Sequence, residues 1–199
     1  MKEKAYGYDS IVSDQLYLSY QLRGFSSMNM LRQWERMLRV FPFSRLSQTA
    51  STLRVHAVSF REPALFERDY PNPLDLDAVM EAAREFTGTD CAAQLEAKWD
   101  LWQYVNDWRL APTRVVLSCF APEFEDAGDE HLQIDFGTDA LFLPDLELPN
   151  ALFMSQSNIK SLLHFVHESD QALPVETRRL WTESGENFAD RVKAVLEEL

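Results

Sequence analysis

The chain predicts an α+β fold, a single domain in which a mixed or antiparallel sheet of about five strands carries helices on one face, in the order β-α-β-α-β-β-β-α-α. Three observations carry that reading. Between Cys91 and Tyr104, Ala93, Leu95, Ala97, Trp99 and Leu101 alternate with Gln94, Glu96, Lys98, Asp100 and Trp102, which is the period of a strand and not of a helix. Two further alternating stretches follow at 113–121 and 131–137, so three successive antiparallel strands make a meander. Elsewhere apolar residues recur every three or four positions, the mark of helices with one buried face.

The elements follow in chain order. In residues 15–22, Leu16, Leu18, Tyr20 and Leu22 share one face of a first strand and Tyr17, Ser19 and Gln21 the other. Gly24 breaks it, Ser26 or Ser27 caps a helix with Met28, Leu31, Trp34, Leu38 and Phe41 inward, and Pro42 ends that helix. Residues 52–60 form the second strand, with Leu53, Val55 and Ala57 on one face and Arg54, His56 and Val58 on the other. The stretch 61–73, with Pro63, Pro71 and Pro73, reads as loop. Asp75 or Asp77 caps a second helix running to Phe86, with Val79, Met80 and Ala83 inward. The strand at 91–104 turns through Asn106–Thr113 into the β-branched stretch at 113–121, and the acidic 123–130 loop leads to the strand at 131–137. Residues 138–150 are irregular. Helix three is expected at about 156–169 and helix four at about 185–198, with an additional helical turn at 175–182. If the first two strands are adjacent and parallel, their connection is a right-handed crossover. Residues 1–12 are expected to be a flexible N-terminus and 13–199 one α+β domain.

With 199 residues, 46% hydrophobic and 26% charged, the chain can bury a core without metal or disulfide. Cys91 and Cys119 read as reduced, buried thiols. The N-terminal stretch lacks the apolar segment of a signal peptide and no run is long enough to span a bilayer, so a cytoplasmic location and no membrane association are expected. The net charge of −13 is uneven: residues 1–70 carry +3 and residues 71–199 carry −16. Such a field repels phosphate backbones, so no nucleic-acid partner is expected.

Motifs of catalysis and cofactor binding are missing. There is no G-x-S-x-G, Walker A, G-x-G-x-x-G or HEXXH pattern, and no cofactor and no metal are implied. His164 and His167 stand three apart on a helix, but the facing carboxylates of a bundle metal site are not evident. Glu123, Glu125, Asp126, Asp129 and Glu130 are oxygen donors without the EF-hand spacing, and read as a solvated hairpin tip. Trp99, Trp102, Tyr104 and Trp108 fall within ten residues, as core and edge or as an aromatic platform for a ligand or partner.

One constellation remains. With these strand phases, the sheet face away from the helices carries Arg54, His56, Glu96, Lys98, Asp100, Trp102, Arg114, Ser118, His131, Gln133 and Asp135. Alternating polarity and cross-strand ion pairs account for such a face in water. The candidate ligand or partner residues on it are Arg54, His56, Lys98, Trp102, Arg114, His131 and Asp135. Two functions fit: a non-catalytic module that contacts a protein partner or a second copy as a homodimer, and a small-ligand binder or enzyme with His56 or His131 as acid/base and Arg54 or Arg114 as anion clamp.

Overall fold

Alternating stretches bury about one side chain in two, and they hydrogen-bond here with two charged edge strands into one sheet of seven. A computed structural model describes residues 13–185 and 188–197; the expected flexible stretch 1–12 lies outside the described residues. The elements are β1 (Gln15–Leu22), α1 (Met30–Val40), β2 (Ser51–Ala57), β3 (Phe66–Tyr70), α2 (Leu76–Ala83), β4 (Cys91–Tyr104), β5 (Trp108–Phe120), β6 (Leu132–Thr138), α3 (Ala151–Ala172), β7 (Val175–Thr182) and α4 (Phe188–Glu197). The strand order is β3-β2-β4-β5-β6-β1-β7, and every neighbouring pair is antiparallel.

The meander of β4, β5 and β6 forms the middle of this sheet, in the phase the alternation demands. Ala93, Leu95, Ala97, Trp99 and Leu101 are all buried, as are Leu16, Leu18, Tyr20 and Leu22 of β1. These side chains meet a helical layer on one face, where α1 and α3 cross the central strands, α2 packs beside α1 and β2, and α4 lies against β7 and α3. Phe41, Trp99, Phe136 and Phe165 form an edge-on aromatic cluster beneath α1 and α3, with Phe41 and Phe165 centroids 5.3 Å apart. Each large side chain sealed here contributes about 1.5–3 kcal/mol of apolar burial.

Several expectations are corrected. The sheet has seven strands instead of five. Residues 66–70, read as loop, form β3, a short edge strand whose Glu67, Arg68 and Asp69 are exposed; charges and flanking prolines are devices of an edge strand and mask its signal. Residues 175–182, read as a helical turn, form the other edge, β7, paired along all of β1. Met28, expected inward, is 98% exposed, because α1 starts two residues later. Its N-cap is Asn29 and neither Ser26 nor Ser27; the Asn29 carboxamide accepts the Ser26 N–H at 3.0 Å. Asp75 does cap α2, accepting the Ala78 N–H at 3.1 Å. β2 stops at Ala57, β5 begins five residues before Thr113, and α3 is longer at both ends than 156–169. Three strands separate β1 from β2, so no adjacent parallel crossover exists.

A second, small apolar cluster sits on the opposite sheet face, where Ala92, Phe120, Phe124 and Ala127 are buried beneath the β5–β6 loop. Phe60 closes over it, 4.8 Å from Phe124. Val58 holds this junction together, donating to Asp90 O and accepting from Glu125 N–H, both at 2.8 Å. It does so at a φ of +68°, costly for a β-branched residue.

Candidate functional site

Among the described residues no α-helix covers the other face of the sheet, and two regions of different chemistry stand out on it. The first is a belt of charge that crosses six strands. Arg54 on β2 donates to Glu67 on β3 at 2.8 Å and to Glu96 on β4 at 3.2 Å. Arg114 on β5 reaches the same Glu96 oxygen at 3.2 Å and approaches Asp135 on β6 at 4.0 Å. Asp135 also accepts from the Gln15 side-chain amide of β1 and, at 2.8 Å, from the Gly137 N–H. Burial works to raise the Glu96 carboxyl, but the two guanidiniums overcome it and hold the group below the ordinary carboxylate range.

The sequence-derived candidates therefore have definite places. Arg54, Arg114 and Asp135 stand in the belt, each already paired. Lys98 lies directly opposite Arg114 on the neighbouring strand and makes no ion pair among the described residues. His56 and His131 sit at opposite ends of a run of four strands, about 14 Å apart at sheet spacing. His56 packs edge-on to Phe60 at 5.2 Å. His131 stacks on Phe25 at 4.1 Å, and its Nδ1 accepts the Leu22 N–H at 2.8 Å. Burial holds its imidazole below the usual histidine value, against the pull of Glu176, which suits a neutral ring engaged as an acceptor. The structure does not bring the two histidines together. His164 and His167 are exposed on α3, and among the described residues no group of three or more His, Cys, Asp or Glu side chains is gathered to hold a metal ion.

The second region is an arm. β2 stops pairing with β4 at Glu96, and β6 stops pairing with β5 at Val116. The β4–β5 hairpin continues beyond both to a tip at Val105–Asp107. Its inner face, with Trp99 and Leu101, stays under α1 and α3. Its free β4 edge is closed by other means. Ser44 N–H donates to Lys98 O at 2.7 Å, the Asp100 carboxylate takes the Arg45 N–H at 2.9 Å, and Asn158 of α3 acts as a substitute strand. The buried Asn158 carboxamide accepts from Trp102 N–H at 2.9 Å and donates to Trp102 O and Leu141 O at 2.9 and 2.7 Å. Pro112 stands on the β5 edge, where a missing N–H discourages further strand pairing.

The arm's outer face is aromatic. Trp102 opposes Leu110, and Tyr104 opposes Trp108 with ring centroids 5.4 Å apart. Trp108 Nε1 donates to Pro149 O at 2.6 Å, drawing the loop before α3 alongside. Val105, Leu146 and Phe153 are 76%, 72% and 69% exposed, and Leu110 is 44% exposed. Asp107 at the tip and Asp145 and Glu147 in the loop before α3 are also exposed, with Arg109 the nearest base in sequence. Trp102 and its aromatic neighbours stood out in the sequence. Val105, Leu110, Leu146 and Phe153 did not, since a turn at 106–113 hides the length of the hairpin; the alternation of Trp108, Leu110 and Pro112 was the available signal.

Fold and site together define a one-sheet, all-antiparallel α+β protein with a helical layer on one face and an aromatic hairpin projecting from it. No family model, no curated protein and no solved structure matches this chain.

Proposed function

We propose that this protein is a non-catalytic interaction module that binds a basic partner protein through the aromatic arm. The observation that supports this most directly is the exposure of Val105 and Leu110 beside Trp102, Tyr104 and Trp108 on the hairpin, with Leu146 exposed in the loop that Trp108 holds through Pro149 O, apolar surface of the kind that marks interaction sites. The charge belt complements it: Arg54, Glu96, Arg114 and Asp135 are already paired with one another, so the belt offers a protein partner less than the arm does.

Charge selects the occupant. The net charge is −13, and residues 71–199, which include the arm, carry −16. A second copy would bring two such fields together, whereas a basic surface gains from Asp107, Asp145 and Glu147 at the rim. The buried, unbridged Cys91 and Cys119 suit a reducing cytoplasm, and no helix among the described residues is long and apolar enough to cross a membrane.

Site-specific photo-crosslinking in the source cells tests the reading. A photoreactive residue at Leu110 or Leu146 should give one defined adduct with a basic protein, and one at Leu65, an exposed apolar residue in the β2–β3 loop, should not. Leu110→Asp should abolish the adduct formed from position 146. Equal yields from all three positions, or an adduct of the chain with itself, would contradict the proposal.

A further inference from the structure

The open face holds one more feature that neither the belt nor the arm uses. Between β7 and the β5–β6 loop lies a groove of about 460 Å³, floored by Ser19, Gln133 and Trp181. Two of its lining residues, Trp181 and Arg179, belong to a stack of planar groups. Tyr17 lies 4.7 Å beneath Trp181, the Trp181 Nε1 donates to Ser19 Oγ at 3.0 Å, and the Arg179 guanidinium rests 5.1 Å above the indole. Arg179 is thus held in place yet has no carboxylate partner among the described residues.

Across the groove, the acidic loop is unevenly engaged. Asp126 accepts the Phe60 N–H at 2.7 Å, and Glu130 accepts the Gln133 side-chain amide at 2.6 Å. Asp129 is exposed and accepts nothing among the described residues. Between these poles two carboxamides are half used. Gln133 spends an N–H on Glu130, leaving its carbonyl oxygen to accept. Gln21 accepts from Thr177 Oγ1 at 2.7 Å, leaving its N–H groups to donate.

We propose that this groove binds a short zwitterionic peptide of two or three residues in extended form. Arg179 takes the terminal carboxylate, Asp129 the terminal ammonium, and Gln21 and Gln133 the C=O and N–H of a peptide group. Each pole is charge-assisted, and the volume lies in the range of small-molecule sites. Arg179 on β7 and Gln133 on β6 both stand opposite Ser19 of β1, two strand spacings or about 10 Å apart, room for a peptide of two or three residues at about 3.3–3.6 Å each.

The test is calorimetric titration with trialanine, N-acetyl-trialanine and trialanine amide. For the wild-type chain, acetylation and amidation should each weaken binding about tenfold. In Arg179→Gln amidation should no longer matter, and in Asp129→Asn acetylation should no longer matter. Both side chains are exposed, so folding is expected to survive, and a thermal melt of each variant verifies it. No heat from trialanine at about 10 mM, or terminal blocking that weakens the variants as much as the wild type, overturns the proposal. Neither outcome bears on the arm.

Discussion

Glu96 shares one carboxylate oxygen between Arg54 and Arg114, and this sharing gives the uncovered face a pH dependence. Its folded carboxyl titrates below the ordinary value of 4.5. The stability it contributes is therefore fully present above the unfolded pKa and disappears as pH falls through the folded one. Urea denaturation of the wild type should lose free energy more steeply than that of Glu96→Gln as pH falls from about 5 to about 3. At neutral pH the variant should be less stable by about 1 kcal/mol. Parallel curves would contradict this role. At this scale the sequence was informative about facing and silent about pairing. Period-2 alternation placed Arg54, Glu96, Arg114 and Asp135 on one face, but which oxygen meets which guanidinium depends on register, and alternation contains no register. His131 shows the same limit: its place on the polar face was legible, but its stacking under Phe25 depends on how the 22–29 turn folds back.

Among the elements, the arm depends on a side chain that imitates a strand. Beyond Glu96, β4 has no β2 beside it, and Asn158 supplies the missing donor and acceptor to Trp102 while also holding Leu141 O. Asn158→Ala removes all three bonds at a site that is 2% exposed. The expected cost is about 2–4 kcal/mol in urea unfolding, with faster amide exchange at Trp102. A loss below about 1 kcal/mol would show that the arm is held otherwise. The central strands were readable because their inner faces are continuously apolar, from Ala93 to Leu101. The edges were not. β3 offers only Phe66 and Tyr70 around three charges, and β7 presents Thr177, Arg178 and Arg179 in mid-strand. Both edges have a single neighbour each, which relaxes the demand for apolar alternation. In β7 the residues Thr177, Trp181 and Thr182 were the surviving β signal.

For the whole molecule, a sheet covered on one face leaves the other to be satisfied by water, by itself or by a partner. The belt satisfies itself and the Phe60 cluster is closed by loops, which leaves the groove beside β7 and the arm. The arm's apolar centre and acidic rim, set in a chain of net charge −13, favour a basic protein over a second copy. The one-sided layering was foreseeable from helix and strand periodicity, while the projection of the arm required knowing where β2 and β6 end. The central claim is that the arm stays open in the isolated chain, and light scattering of the purified protein at about 0.15 M salt tests it most directly. The account predicts the 23.1 kDa mass of one chain, unchanged by Leu110→Asp. Twice that mass, returning to one chain on the same substitution, would show that the arm is a homodimer interface and contradict it.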